Sequence, residues 1–593
     1  MVTLRVLRRA CLLGAAVVVA AITAANCGGG GSGGGSSGNS GTSTGAGAAS
    51  GASAASGTGS TGSSSGGTSG SSSGSTSGSG SGTSSGGTSM AAAQDVLTYH
   101  NDIARTGQNL GETTLTPANV TASTFGKVGF FGVDGKVDAQ PLFVGALAIA
   151  GGTHNVLYVA TEHDSVFAFD ADSGATLWQT RTLNAGETPS DDLGCGQIVT
   201  EIGITSTPAI DRTRGAHGTL YVVAMSKDAS GGYHHRVHAL DLATGAELLN
   251  GPTEVAASYP GTGAGNTNGI VPFTPALYAE RAGLLLLGNT LYTTWTSHCD
   301  AGGYTGWIMG YGADTLLQTT VLNVTPNGLG GAIWMSGAGP ASDGASIYLL
   351  DANGTFDTTL TANGFPNLND FGNAFLKIAT TGGLTVADYF AMSNVVEEAR
   401  DDIDLGSGGA LVLPDLTDAS GTVQHLTLGA GKDNIIYVLS RDSMGKFNTS
   451  GDNVYQEIPA QLVGGEFGMP AYFNGRVYFG SVGDHLKAFT VTNAKLSGAP
   501  SAQSAMTFAY PGTTPSVSAN GATNGIVWAA ENGSVAALHA FDPVTLNELY
   551  NSNQMGTRDQ FGAGNKFITP LIANGKVYVG TTNGVAVFGL LKG

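Results

Sequence analysis

The sequence predicts an all-β fold: an eight-bladed β-propeller of four-stranded antiparallel blades over residues 95–593, preceded by a signal peptide and a disordered Gly/Ser tether. Three observations predict the propeller. The stretch at 155–178, NVLYVATEHDSVFAFDADSGATLW, reads as short strands and a turn, rich in the Val, Tyr, Phe and Thr that suit a pleated, half-buried surface. Asp172-Ser173-Gly174 supplies the turn, with Gly free to take positive φ. The same unit recurs down the chain, and each recurrence opens alike, with a Pro-containing entry followed by a Tyr/Val strand. Finally, no long apolar stripe of helical period interrupts the series, which argues against a helical solenoid.

Residues 1–27 carry the marks of export. Arg5, Arg8 and Arg9 form a basic start, and the apolar run from Leu12 to Ile22 is too short for a comfortable membrane span. Thr23-Ala24-Ala25 suits ordinary signal peptidase, whereas Ala24-Ala25-Asn26-Cys27 is similar to a bacterial lipoprotein box with Cys27 as the lipidated thiol. Free secretion and lipid anchoring both stay open, and the tract after Cys27 favours the anchor. That tract, 28–90, is nearly all Gly, Ser, Thr and Ala. It has too little apolar surface to order itself and predicts a flexible tether, roughly 45 Å end to end.

Eight units follow. Their entries are Gln140-Pro141 with LYVAT, Thr207-Pro208 with LYVVA, Thr274-Pro275 with LLLLGNTLYTTW, and Gly339-Pro340 with SIYLL. GALVLP with IIYVLS, Met469-Pro470 with RVYFGS, Thr514-Pro515 with IVWAA, and Thr569-Pro570 with KVYVGT complete the series. The third and fourth units are more diverged, which leaves a seven-fold count as the alternative. Repetition of this kind, with strands this short, is the signature of a propeller. The last unit ends at VAVFGLLKG without an outer strand, and FGKVGFFGVDG at 125–135 is placed to supply it. Closing the ring with both chain ends removes an exposed sheet edge.

The net charge of −19 excludes nucleic acid as a partner, because phosphates would be repelled. Of the four cysteines, Cys11 and Cys27 belong to the export segment; Cys195 and Cys299 remain, free or bonded in an oxidising compartment. No CxxCH stands ready for covalent haem and no paired CxxC for zinc.

The string YVATEHDSVFAFDADSGATLW resembles the repeat of pyrroloquinoline-quinone (PQQ) type propellers, a family of quinoprotein alcohol dehydrogenases and non-catalytic relatives, over about 95–593. The segment at 100–131, with Leu115 and Pro117-Ala118-Asn119-Val120, is similar to the quinoprotein entry segment. The run GGAIWMSGAGPASDGASIYLLDANGTFD resembles the one in which a Trp lies under the quinone and an Asn binds calcium; the resemblance assigns these roles to Trp334 and Asn353. RDDIDLGSGGALVLPD resembles the segment of the catalytic Asp, implying Asp404 first and Asp401 second. LGAGKDNIIYVLSRD resembles the segment whose cation reaches the quinone carbonyl, implying Lys432. Departures are equally plain. The adjacent cysteine pair over the cofactor is represented by Cys195 alone, and the acidic calcium ligand of the second unit falls loosely on Asp228.

The implied chemistry is coherent. Hard oxygens from Asp228, Asn353 and Asp404 suit calcium, which polarises the quinone carbonyl. Asp404 takes the substrate hydroxyl proton, Lys432 stabilises charge on the quinone oxygen, and Trp334 stacks on the flat cofactor. Each residue also has a plainer reading. Trp334 would be a packing aromatic, Asn353-Gly354 a turn, Asp401, Asp402 and Asp404 a solvated loop, and Lys432 a surface lysine. Thr161-Glu162-His163-Asp164, His234-His235 and Ser297-His298-Cys299-Asp300 are weak metal candidates, because strand alternation sends neighbours to opposite faces. His100-Asn101-Asp102 fits a structural role at the propeller floor. Two expectations therefore stand side by side. One is an exported, lipid-anchored, monomeric PQQ- and calcium-dependent oxidoreductase, free of haem, acting on an alcohol or sugar hydroxyl and passing electrons to a separate acceptor. The other is a non-catalytic propeller serving envelope proteins as a binding or assembly scaffold.

Overall fold

A computed structural model describes residues 94–592; the signal peptide, Cys27 and the tether expected at 28–90 lie outside the described residues. Eight antiparallel sheets of four main strands succeed one another along the chain. Blade 1 is Leu142–Ile149, Gly152–Ala160, Ser165–Asp170 and Thr176–Arg181. Its third strand, SVFAFD, is buried along its length, while its last alternates between exposed and half-buried. That gradient is what blades packed face to face around an axis require. Blades 2 to 7 span 209–254, 278–323, 341–390, 411–458, 471–508 and 516–551. Blade 8 combines 571–590 with the earlier strand Phe125–Gly132.

The closure expected from the sequence is present. Phe125–Gly132 runs antiparallel to Gly584–Leu590, with Phe125 opposite Leu590 and Gly132 opposite Gly584. Phe125 is fully buried and meets Trp528, Tyr550 and Phe588 at centroid distances of 5.5, 5.0 and 6.3 Å. The closing strand thus also anchors blade 7 to blade 8.

The eight units counted in the sequence are the eight blades, with one local departure. In blade 3, Thr274-Pro275 opens a 3-10 turn, Pro275–Leu277, and the inner strand is split into Tyr278–Glu280 and Leu285–Leu287. Both halves pair with Thr290–Ser297. Arg281-Ala282-Gly283-Leu284 leave the ladder between them.

One end of the hub is closed by the segment that precedes the ring. Val96 pairs with Phe143 of blade 1. The carbonyls of Leu97, Ile103, Ala104, Thr106 and Gly107 then accept from Ile210, Ser342, Val412, Tyr472 and Val517 of blades 2, 4, 5, 6 and 7. Arg105 Nη2 reaches Leu284 O in blade 3, and Asn109 Nδ2 reaches Ile572 O in blade 8. The inner edge of every blade is therefore met by one continuous belt, which satisfies backbone groups that would otherwise be buried unpaired. Arg105, fully buried, also donates to Pro340 O, Thr98 Oγ1 and Tyr99 O. The His100 ring lies 2.8 Å from both Arg105 O and Pro515 O. His100-Asn101-Asp102 belongs to this floor.

Candidate functional site

The opposite end of the hub is built from the connections between blades and the turns between second and third strands. Asn353 follows the strand Ser346–Leu350, Asp404 lies in the connection after the helix Val395–Asp401, and Lys432 turns between Leu426–Ala430 and Ile436–Ser440. Two glycines let these segments close on one another. A Cβ on Gly406 would sit 2.4 Å from the carbonyl carbon of Asp351, and one on Gly431 would sit 2.4 Å from Leu405 Cα. With those approaches open, Lys432 N donates to Asp404 O at 3.0 Å, and Asn353 O accepts from Gly331 N at 2.8 Å.

The side chains converge. Lys432 Nζ lies 2.5 Å from Asp404 Oδ1 and 2.7 Å from Asp402 Oδ1. Asn353 Nδ2 donates to Asp402 Oδ1 at 2.8 Å and to Asp404 Oδ1 at 3.3 Å. Asp404 is 1% exposed, and its Oδ2 is buried without a hydrogen-bond partner, as is Asn353 Oδ1. Burial raises the Asp404 carboxyl above its ordinary range, and the Lys432 ammonium offsets part of that rise. Burial works against the ammonium in turn, but the carboxylates outweigh it and hold Lys432 above the usual lysine value. On one flank burial, followed by the Asp300 charge, raises the Tyr304 phenol, whose hydroxyl donates to Asp300 Oδ1 at 2.8 Å. On the other flank Glu466, fully buried, is pushed up to about 8 by desolvation.

Trp334 leads into blade 4 through the left-handed residues Met335 and Ser336, and Ser336 Oγ donates to Ser407 O at 2.6 Å. Its ring is half-buried and stands edge-on to Phe467 at 6.0 Å and to Phe567 at 6.1 Å. Phe467 leads into blade 6, Phe567 into blade 8, and both touch Tyr510, which leads into blade 7. Trp334 and Phe567 come from opposite sides of the ring, so this cluster lies across the axis. Phe467 and Phe567 also wall a small cleft of about 20 Å³ whose polar lining includes Thr513, Asn532 and Asn565.

The remaining sequence candidates stand elsewhere. Asp401 ends its helix, half-exposed, and pairs with Arg400; Asp402, next in the chain and left-handed at φ 61°, joins the cluster in its place. Asp228 serves its own hairpin: Oδ1 accepts from Ser230 N and Gly232 N, and Oδ2 lies 3.2 Å from His234 Nε2. These bonds, led by that from the Ser230 hydroxyl, hold its carboxyl below the usual range. Cys195 is bonded to Cys299, with Cα atoms 5.9 Å apart, tying the connection after blade 1 to the blade 3 turn that carries Asp300 and Tyr304. Lys566 Nζ donates to Gly196 O at 3.2 Å, which brings this loop beside Phe567. Among the weaker candidates, Glu162 is buried and accepts from Gly203 N and Thr205 Oγ1, a structural role. Glu466 and Tyr304 were not singled out by sequence, and Asp402 was read there only as part of a solvated loop, its adjacency to Asp404 being the one signal that could have flagged it.

Against solved structures the chain matches quinohemoprotein alcohol dehydrogenase from Comamonas testosteroni with 14% identity and a TM-score of 0.53, over 84% of this chain and 80% of that one. The quinohemoprotein alcohol dehydrogenase ADHIIG of Pseudomonas putida HK5 matches at 11% identity and 0.53, with the same coverage. The fold is that of the quinoprotein alcohol dehydrogenase propellers. At these identities the likeness is one of fold. No protein-family model and no curated protein matches the sequence.

Proposed function

We propose that this chain is an exported, lipid-anchored oxidoreductase that uses PQQ and calcium to oxidise a hydroxyl of an alcohol or sugar. The observation that carries the reading is the convergence of Asn353, Asp404 and Lys432, from different blades, with a buried oxygen of each of the first two left unpartnered. Amide and carboxylate oxygens of that kind suit a hard cation. Asn353 and Asp404 would hold the metal, and Asp402, 76% exposed, is the carboxylate beside them in place of Asp228. Trp334 and the Cys195 loop would border the cofactor. When bound, the quinone would accept the electrons and the metal would polarise its carbonyl. Asp404 is also the carboxylate that would receive the hydroxyl proton. Lys432 holds positive charge against the same carboxylate and is placed to stabilise an anionic oxygen nearby. A separate acceptor would then take the electrons.

The test is to add PQQ and calcium chloride to purified protein, following absorbance, tryptophan fluorescence and dye reduction with a panel of alcohols and sugars. Saturable binding with substrate-dependent dye reduction is expected. Neither binding nor reduction would reject the reading.

A second reading is favoured by one observation: the rings of Trp334, Phe467, Tyr510 and Phe567 meet across the axis where a planar cofactor would lie. On that reading the propeller is a non-catalytic scaffold for envelope proteins, and the same titration is silent.

A further inference from the structure

The connection from blade 1 to blade 2 carries a loop that is pinched at its base. Ser190 N donates to Ile202 O at 2.7 Å, and Ile202 N to Ser190 O at 2.9 Å. The Asp191 carboxylate accepts from Tyr233 Oη at 2.8 Å and Lys227 Nζ at 3.2 Å, and its backbone O lies 2.8 Å from His298 Nε2. On the return side Ile198, 6% exposed, packs with Ile202, Met225 and Ala279. Between these anchors stands a tip, residues 192–197, whose hydrogen bonds are largely its own. Asp192 Oδ1 accepts from Gly194 N, Oδ2 from Gly196 N, and Asp192 O from Cys195 N.

The tip is fastened outward on two sides of the mouth. The Cys195–Cys299 bond ties it to the blade 3 turn. Lys566 Nζ donates to Gly196 O at 3.2 Å on the blade 8 side, in an exposed hydrogen bond for which water competes. The same ammonium lies 5.8 Å from the centre of the Tyr510 ring, and Phe567 beside it meets Trp334. The tip is thus a strap along the edge of the axial aromatic cluster, and one covalent bond is its strong fastening. That bond is open to attack. Cys195 is exposed and Cys299 half-buried. Gly194 and Gly196, both left-handed at φ 75° and 71°, flank Cys195, and a Cβ on either would meet nothing within 4 Å.

We propose that the Cys195–Cys299 bond is a reducible latch: a dithiol opens it in the folded protein and frees the strap, which uncovers the aromatic cluster at the mouth. The thiolate of the dithiol attacks Cys195 Sγ, and Cys299 leaves as a thiolate and takes up a proton. The second thiol then attacks the mixed disulfide, which releases the Cys195 thiol and the cyclised, oxidised dithiol. Two electrons pass from the dithiol to the protein disulfide, and nothing else is consumed. In an oxidising compartment the bonded, closed form is the resting one. The anchors at Asp191 and Ile198 do not depend on the bond, so the release is confined to the strap. The device operates whether or not a quinone binds.

The experiment treats the whole chain with dithiothreitol in native buffer, without quinone or calcium, and alkylates the products for mass spectrometry. Peptides of Cys195 and Cys299 should both be found alkylated, at a rate that does not change with urea well below the unfolding midpoint. Opening is read by acrylamide quenching. Of the five tryptophans, Trp295, Trp307 and Trp528 are fully buried, which leaves Trp178 and Trp334 to the quencher. In W178F, reduction should raise the quenching constant roughly two-fold as the half-buried Trp334 loses its cover. Reoxidation should restore the constant, and W178F/W334F should show no change. C195S/C299S in the W178F background should quench like the reduced protein; if that variant does not fold, reduced W178F decides. A bond that merely shortens the unfolded chain would move the urea midpoint and leave the quenching where it was. The proposal is overturned by reduction that needs urea enough to unfold the chain, or by native reduction with the quenching of W178F unchanged.

Discussion

Replacing Glu466 by Gln should stabilise the protein in a way that depends on pH. Glu466 is fully buried between blades 5 and 6. Its backbone N donates to Gly431 O at 2.9 Å, its backbone O accepts from Ser407 Oγ at 2.8 Å, and Oε1 accepts from Gly468 N at 3.0 Å. Oε2 has no hydrogen-bond partner. Desolvation lifts its carboxyl from 4.5 to about 8. A raised acid stabilises the fold below its unfolded pKa, and that contribution is lost as pH rises to the folded value. Between those values the unfolded chain releases the proton and the folded chain keeps it, at about 1.4 kcal/mol per pH unit, or about 5 kcal/mol over the whole window. Gln keeps the Oε1 acceptor and does not titrate. E466Q and wild type should therefore have similar urea midpoints at pH 4.5. The gap should widen in favour of E466Q up to about pH 8 and then level off, and other buried acids cancel in the comparison. A gap that is the same at pH 5 and pH 9 would refute the assignment of Glu466 as a buried neutral acid.

Lys432→Met should destabilise the fold by about 3–5 kcal/mol, because it leaves the buried Asp404 carboxylate unpaired; K432M/D404N should recover most of that loss in a denaturation series. Under the oxidoreductase reading, D404N should lower dye reduction by about 10²–10⁴-fold while leaving the circular dichroism spectrum unchanged, and activity within ten-fold of wild type would remove Asp404 from the mechanism. Phe125→Ala should cost about 3–5 kcal/mol, since Phe125 ties the closing strand to Trp528, Tyr550 and Phe588; an unchanged thermal midpoint would contradict a closed ring. Cys195 and Cys299 are 104 residues apart, so C195S/C299S should lose about 2–5 kcal/mol, read as a lower urea midpoint in oxidising buffer.

The propeller was legible because the chain repeats one entry eight times, a Pro-containing segment followed by a Tyr/Val strand, and four of those units carry a clear partner strand as well. Even the closing strand could be read, because the last unit lacked one and FGKVGFFG was otherwise unassigned. The belt from Val96 to Asn109 could not be read, because most of its bonds to successive blades run through backbone carbonyls, which leave no trace in side-chain type. The split strand of blade 3 was hidden for a related reason. LLLLGNTLYTTW looks like a continuous hairpin, and only the structure shows Arg281-Ala282-Gly283-Leu284 leaving the ladder. The resemblance to the quinoprotein segments brought forward Asn353, Asp404 and Lys432, and the structure brings those three side chains together. Asp228 shows where that logic ends: Asp228-Ala229-Ser230-Gly231-Gly232 builds a turn whose own N–H groups use the carboxylate.

The unpartnered atoms at the axial face bear on whether the polar cluster is merely structural. Asn353 Oδ1, Asp404 Oδ2, Glu466 Oε2 and Arg281 Nη1 are all buried without hydrogen-bond partners, and all belong to connections, turns or strand breaks around the axis. Each such group costs about 1–3 kcal/mol, more when charged. Apolar residues of similar volume would remove that cost, and buried ion pairs are often replaced by hydrophobic residues with no loss of stability. The belt at the other end shows that this chain can satisfy a buried cation and a buried ring, as it does for Arg105 and His100. Stability alone therefore explains the floor of the hub and leaves these groups of its mouth unexplained, and the Asn353 and Asp404 oxygens among them are acceptors of the kind a hard cation takes.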